Sequence, residues 1–405
     1  TGGYGDASPV TTAGRLIGAL VAIGGVLLVA LPTGIVAAAF SDAMQRRREA
    51  MARAGVAPEQ VGHVAMGTVI PTEPRDAYLG RVAAMQAGIP KETPAFNVNR
   101  LCGSGLQAIV SVAQGLMLGD AEIGLAAGAE SMSRGPYLLP TARWGARMGD
   151  TPMLDYTTGV LHDPFQRIHM GITAENVAER FGITREMQDA LAVESQRRAA
   201  RAIAEGRFKD QIVPVEITTR KGTVVFEVDE HVRGEVTPEQ LAKMKPVFKK
   251  DGLVTAGNAS GINDGAAAMV LATAAAVKAH NLKPLARVVG YAHAGVSPEI
   301  MGIGPVPATQ AVLKRTGLKV ADLDVIESNE AFAAQACAVS KELGFDPAKV
   351  NVNGSGISLG HPVGATGSRL IVTALHELER RDETTALVTM CCGGAIGTAT
   401  IIERI

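Results

Sequence analysis

Ala52-Arg53-Ala54-Gly55-Val56, followed by Glu59-Gln60-Val61-Gly62-His63-Val64, is answered late in the chain by Lys314-Arg315-Thr316-Gly317-Leu318 and Ala321-Asp322-Leu323-Asp324-Val325-Ile326. Each stretch runs on to an Asn-Val-Asn, at 97–99 and at 351–353. A Gly-rich turn and an apolar helix come next, Leu106 to Leu118 in one and Leu370 to Leu378 in the other. An apolar strand closes each unit, Ile123 to Ala127 and Ala386 to Met390. Strands alternating with helices of this length imply βα units around a mostly parallel sheet, so the fold class is α/β. Duplication of the unit implies two similar domains packed together.

The second copy opens with a strand, Leu285 to Tyr291, and a helix near Ala308 to Arg315. The first copy should open likewise, but an uncharged run occupies that place. If the missing strand is central, each backbone group it leaves unpaired costs about 1–3 kcal/mol. Set against a total stability of about 5–15 kcal/mol, that loss predicts a chain too weakened to work unless the apolar run substitutes. Between the copies, 131–249 is richer in charge, with Met and Pro scattered through it, and reads as an inserted lobe carrying substrate-contacting loops. The expected division is 1–45, an N-terminal domain at 46–284 with its lobe at about 132–249, and a C-terminal domain at 285–405.

The composition narrows the function. Of 405 residues, 47% are hydrophobic and 20% charged, as in an α/β protein with a large buried interior. Lys plus Arg (39) nearly cancels Asp plus Glu (40), which leaves no electrostatic case for nucleic acid. Cys102, Cys337, Cys391 and Cys392 never stand at CxxC spacing. A disulfide framework or zinc site is therefore not expected, and a reducing, cytoplasmic setting is.

The first forty-odd residues read differently. Thr1-Gly2-Gly3-Tyr4-Gly5-Asp6 precedes an uncharged run from Leu16 to Ser41, with Arg46-Arg47-Arg48 after it. About 20 apolar residues suffice to span a bilayer as a helix, and a basic flank suits the cytoplasmic side. The segment 1–45 resembles a potassium-channel filter and inner pore helix, an apolar element foreign to the rest. Membrane association is expected only if this run inserts. The chain opens on Thr1 rather than Met, so a fragment or a misjoined reading frame is expected.

Cys102 sits in Asn99-Arg100-Leu101-Cys102-Gly103-Ser104-Gly105, after a strand and before an apolar helix. Free N–H groups at a helix start stabilise a thiolate, so a lowered pKa and an acyl-accepting role are expected. His361, in Gly360-His361-Pro362-Val363-Gly364-Ala365-Thr366-Gly367, holds the matching place in the second copy and offers a base. Cys391 follows the closing strand of that copy and can shuttle a proton at a substrate α-carbon, whereas Cys392 points the other way if the strand continues. Asn329, in Asn329-Glu330-Ala331-Phe332, can hold a water or polarise a thioester carbonyl.

Five stretches, in order, resemble the motifs of the thiolase family: Asn-Arg-Leu-Cys-Gly-Ser-Gly at 99–105, Gly-Asn-Ala-Ser-Gly at 257–261, Asn-Glu-Ala-Phe at 329–332, Gly-His-Pro-Val-Gly-Ala-Thr-Gly at 360–367 and Cys-Cys-Gly-Gly at 391–394. The resemblance runs from about Arg48 to Ile405 and is strongest to bacterial biosynthetic-type β-ketothiolases, including those that supply polyhydroxyalkanoate precursors. Arg75 to Arg81 and Leu161 to Phe165 support that subgroup. The family implies a layered αβαβα arrangement and a ping-pong acyltransferase that condenses acyl-CoA with acetyl-CoA to 3-oxoacyl-CoA, reversibly.

In that scheme Cys102 becomes the acyl-thioester, His361 takes its proton, and Cys391 handles the acetyl α-proton. The backbone N–H groups of Cys102 and Gly393 form one oxyanion site, and His361 with a water held by Asn329 forms another. Family resemblance also suggests Ser260 and His169 along the pantetheine arm, Arg233 near the nucleotide, and Phe248, Met301 and Phe332 on the apolar wall. No metal or redox cofactor is implied, since coenzyme A thioesters are themselves the substrates; a homotetramer is. The sequence departs from the family at Ala395, usually a third glycine, and at Ile396, often Gln. A ketoacyl synthase would need a second histidine where Cys391 stands. The alternative reading is an inactive thiolase fragment fused to a pore-helix remnant.

Overall fold

The computed structural model describes residues 48–220 and 222–405. The channel-like stretch 1–45 lies outside them. Contacts divide the chain into two compact units. Of the first, the described part is an antiparallel hairpin, Val215–Thr219 with Gly222–Phe226, paired from Val215↔Phe226 to Thr219↔Gly222. The second unit, 47–212 with 228–405, holds both copies of the repeat.

In the first copy, β1 (His63–Gly67) pairs in parallel with β2 (Ala95–Val98) on one side and β3 (Ile123–Ser131) on the other. A later strand, Asp264–Ala272, runs antiparallel to β3 and completes the order. We number it β4, and the second copy then supplies β5 (Ala286–Gly295), β6 (Val325–Ser328), β7 (Thr385–Cys392) and β8 (Ile396–Arg404). Their order is β6-β7-β8-β5, with β6 and β7 parallel and the other two pairs antiparallel. Val350 adds a parallel bridge to Ile326 on the free side of β6, in the position β2 holds beside β1.

Two expectations need correction. The sheets are mixed rather than mostly parallel, because only three residues, Gly393 to Ala395, separate β7 from β8, and so short a link can join only antiparallel neighbours. The opening strand is also not central. β5, the opening strand of the second copy, stands at the sheet edge and pairs with β8 alone. The corresponding place in the first copy is the outer side of β4, whose strand partner among the described residues is β3 alone. A gap there leaves a margin open instead of splitting a sheet.

The copies meet through their central helices, α1 (Ser104–Leu118) and α2 (Thr366–Arg381), which follow the two Gly-rich turns. Leu106, Ile109 and Val112 on α1 and Leu370, Ile371, Ala374 and Leu378 on α2 share one buried cluster with Val388 and Met390 of β7. Leu101–Leu118 is the one stretch among the described residues long and apolar enough to cross a membrane, and half of it is buried in this packing. The lobe contributes α3 (Met170–Phe181) and α4 (Arg185–Ala204). The Val177 and Ala178 side chains of α3 join the second copy's core beside Ile326, Leu387 and Ile401.

Candidate active site

Glycine sets how closely the two helix starts approach. A Cβ on Gly105 would lie 2.7 Å from the backbone N of Ser368, and one on Gly367 would lie 2.4 Å from the backbone N of Leu106. No side chain fits at either, so α1 and α2 touch backbone to backbone, and Ser368 Oγ donates to Gly105 O at 3.1 Å. The turns that precede the helices are thereby brought to one cavity of about 370 Å³. Cys102, His361 and Gly393 line it together with His169, Ser260, Phe248, Met301 and Phe332.

The turn carrying Cys102 is held from several sides. Leu101 has φ 48°, a left-handed conformation that costs a non-glycine residue about 1–2 kcal/mol. Its N–H donates to Asn99 Oδ1, while Ser104 Oγ donates to Leu101 O and accepts from the N–H of Arg100. The N–H groups of Gly393 and of Cys102 itself point at the Cys102 sulfur. Burial nevertheless pushes the thiol up to about 11, against those two donors, and the nearby Glu130 adds to the rise. The lowered pKa expected from the helix start is therefore not found. The helix begins at Ser104, so Cys102 stands before the cap, and loss of solvent outweighs the two N–H groups.

His361 is 5% exposed. Burial first, and the charge of Arg369 second, push its imidazole down to about 3, so the ring is neutral at physiological pH. Its Nδ1 lies 2.7 Å from Thr366 Oγ1, and its backbone N–H donates to Asn263 Oδ1. Asn329 leaves β6 fully buried, with its Nδ2 3.4 Å from both ring nitrogens of His361. Asn351 fixes the end of β6: its Oδ1 accepts from Ser328 N, and its Nδ2 donates to Ser328 O and to Glu330 Oε1.

The neighbouring thiols Cys391 and Cys392 face opposite ways. Cys391 clusters with Met170, Met301, Ala331 and Phe332 beside the cavity, and burial, then the proximity of Cys102, raises its pKa. Cys392 packs into the core on the other face, where a Cβ on Gly103 would lie 2.7 Å from its sulfur. The turn beyond is tight: Gly394 has φ 74° and Ala395 φ 62°, which is why glycine suits the position that Ala395 fills.

His169 caps α3 through Nδ1, which accepts from Gly171 N, and its ring stacks on Phe248 with centroids 4.5 Å apart. Ser260 donates its N–H to Ala331 O, which ties the 257–261 stretch to the Asn329 loop. Arg233 is not brought to the cavity; its Nη1 donates to Glu230 O and Val232 O. Leu101, Met132, Val160, Leu161 and Val363, outside the expected wall residues, form a second apolar wall beside Cys102. Leu161 lies in a stretch that marks the subgroup, and apolar residues in a charged lobe are its signal. Glu130 likewise lies outside the expected site. This buried carboxylate accepts from Val69 N and Ile70 N in the first copy and from Gly364 N in the second, at 2.9–3.0 Å.

Family models place this site. The thiolase N-terminal domain matches residues 39–275 and the thiolase C-terminal domain matches 282–404, so the chain belongs to the thiolase family. Among curated relatives, the beta-ketothiolase BktB of Cupriavidus necator is 63% identical over 359 residues, covering 88% of this chain and 91% of the relative. The acetyl-CoA acetyltransferase of Escherichia coli is 50% identical over 367 residues, covering 88% and 91%. The crystal structure of human mitochondrial 3-ketoacyl-CoA thiolase in complex with CoA superposes with a TM-score of 0.87 at 46% identity, covering 89% of this chain and 91% of that one. None of these matches supports the potassium-channel resemblance, and the N-terminal family model begins at residue 39, inside the stretch assigned to it. Nor does any of them favour the inactive-fragment alternative.

Proposed function

We propose that this thiolase condenses acyl-CoA with acetyl-CoA, and cleaves the 3-oxoacyl-CoA product, through an acyl-thioester on Cys102. The supporting observation is the convergence on one cavity of Cys102 from the first copy with His361 and the Gly393 N–H from the second. Both thiols rest protonated, and the steps balance from that state. The Cys102 proton passes to His361 as the sulfur attacks the acyl carbonyl. The departing CoA thiolate takes the Cys391 proton, leaving a thiolate beside the cavity. Acetyl-CoA enters, Cys391 removes its α-proton, and the carbanion attacks the acyl-cysteine. Cys102 leaves as thiolate and recovers its proton from His361. Oxyanions formed at the acyl carbonyl meet the N–H groups of Cys102 and Gly393. Asn329, whose Oδ1 has no partner among the described residues, would hold a water that with His361 steadies the enolate.

Ser260, His169, Phe248, Met301 and Phe332 are assigned to the pantetheine path and acyl wall, and Arg233 to the nucleotide end outside the cavity. We keep the division at 46–284 and 285–405, a cytoplasmic setting consistent with four free cysteines, and chemistry without a metal or redox cofactor. A homo-oligomer is supported by apolar side chains presented on the lobe between 137 and 154, where Trp144 is 81% exposed; the tetramer is what the family resemblance implies. Purified protein should cleave acetoacetyl-CoA in the presence of CoA and carry an acyl group on Cys102 after brief mixing. Folded protein without thiolysis and without acyl mass would overturn the proposal.

A further inference from the structure

We infer that Thr366 is a positioning residue that sets the tautomer of His361, keeping the proton on Nδ1 and leaving Nε2 bare to receive the Cys102 proton. This inference rests on the thiolase reading but concerns the free protein. The argument is one of counting. A threonine hydroxyl has one proton and two lone pairs. Thr366 Oγ1 donates to Pro362 O at 2.9 Å, one turn back along its own helix start. That carbonyl also receives the N–H groups of Ala365 and Thr366, a shared acceptor of the kind common at helix ends. With its proton committed there, Oγ1 can only accept from His361 Nδ1, 2.7 Å away.

The other side of the ring agrees. The Asn329 amide nitrogen can only donate and lies 3.4 Å from both ring nitrogens; with Nδ1 turned to Thr366, the nitrogen left to accept from it is a bare Nε2. The ring is neutral and buried, so one nitrogen carries a proton and water does not choose which. A base locked in the wrong tautomer would present a proton where it must take one.

The equivalent residue of the first copy shows the arrangement is a re-use. Gly105 and Gly367 hold the same place in the two helix starts, so Ser104 corresponds to Thr366. Ser104 Oγ likewise donates to a carbonyl behind it, but its free lone pair takes the Arg100 backbone N–H. In the second copy that lone pair meets the imidazole.

The tautomer is read directly by solid-state 15N spectroscopy of histidine-labelled wild-type protein, with His361→Asn identifying the ring. A protonated Nδ1 with a bare Nε2 is expected; the reverse would overturn the inference. Thr366→Val should mix or invert the tautomers and slow Cys102 acylation on the order of 10²-fold, while Thr366→Ser keeps both within a few-fold of wild type. An unchanged spectrum and acylation rate in Thr366→Val would also overturn it. If that variant fails to fold by circular dichroism, the wild-type and Thr366→Ser spectra still decide. A protein with the expected tautomer but no acylation would sink the proposed function and leave this inference standing.

Discussion

Two turns entering two helices do different work with the same parts. Before α1, an Asn, a hydroxyl and several backbone groups are spent on holding Leu101 in a left-handed conformation, so that the next residue, Cys102, faces the cavity. Before α2, the Thr366 hydroxyl is left for the His361 ring. The first copy therefore supplies the thiol assigned as nucleophile and the second the imidazole assigned as its base, and neither copy alone has both. A duplicated unit can divide a reaction in this way when glycine lets the halves touch at the backbone.

The sharpest way to break this comparison is to remove the nucleophile. Cys102→Ser should lower thiolysis on the order of 10⁴-fold or more and abolish acyl mass, while leaving the circular dichroism spectrum unchanged. Cys391→Ala should instead separate the half-reactions, with acylation by acyl-CoA still measurable and condensation lost. Equal loss of both would contradict the assignment of Cys391 to the α-proton. Gly367→Ala tests the contact between the copies. Its methyl has no room beside Leu106 N, so we expect a loss of about 1–3 kcal/mol in urea unfolding, together with slower acylation.

A smaller effect is expected at the carboxylate that ties the copies together. Burial pushes Glu130 up to about 7 against the N–H groups of Ile70, Val69 and Gly364, which favour the anion. The folded protein therefore holds this proton where the unfolded chain, with an ordinary value of 4.5, has released it. The sign follows: this contribution is present in full below about pH 4.5, falls as pH rises, and is gone above about pH 7. Comparing unfolding free energies across that window, Glu130→Gln should lack this component of the slope; a slope identical to wild type would contradict it. Smallest is Ala395→Gly, which should raise stability by about 1 kcal/mol, read as a higher melting temperature, by relieving the left-handed φ beyond the oxyanion donor.

Much of this site was legible because its signals are local. Cys102 and His361 stand in glycine-rich turns at matching places of a repeat, and Ala395 showed itself by replacing an expected glycine, for which φ 62° is the reason. What depended on distant packing was not legible. The opening strand of the second copy lies at the sheet margin because of where β8 pairs, which no window of sequence encodes. Likewise, the Cys102 thiol is governed by burial among several elements, which outweighs the lowering expected from the helix start alone. Glu130 carries no local mark, because its three N–H donors come from two loops far apart in the chain.

The backbone contact between Gly105 and Gly367 has a bearing on timing. A reaction that discharges one carrier before admitting the next must keep its half-finished product aligned during an interval when the cavity is partly vacant. Side chains sliding across an interface could relax in that interval. Two helix starts that touch backbone to backbone, with the Ser368 hydroxyl bonded across, have little to rearrange, so on the proposed mechanism an acylated Cys102 would meet its second partner in the same register in which it met the first.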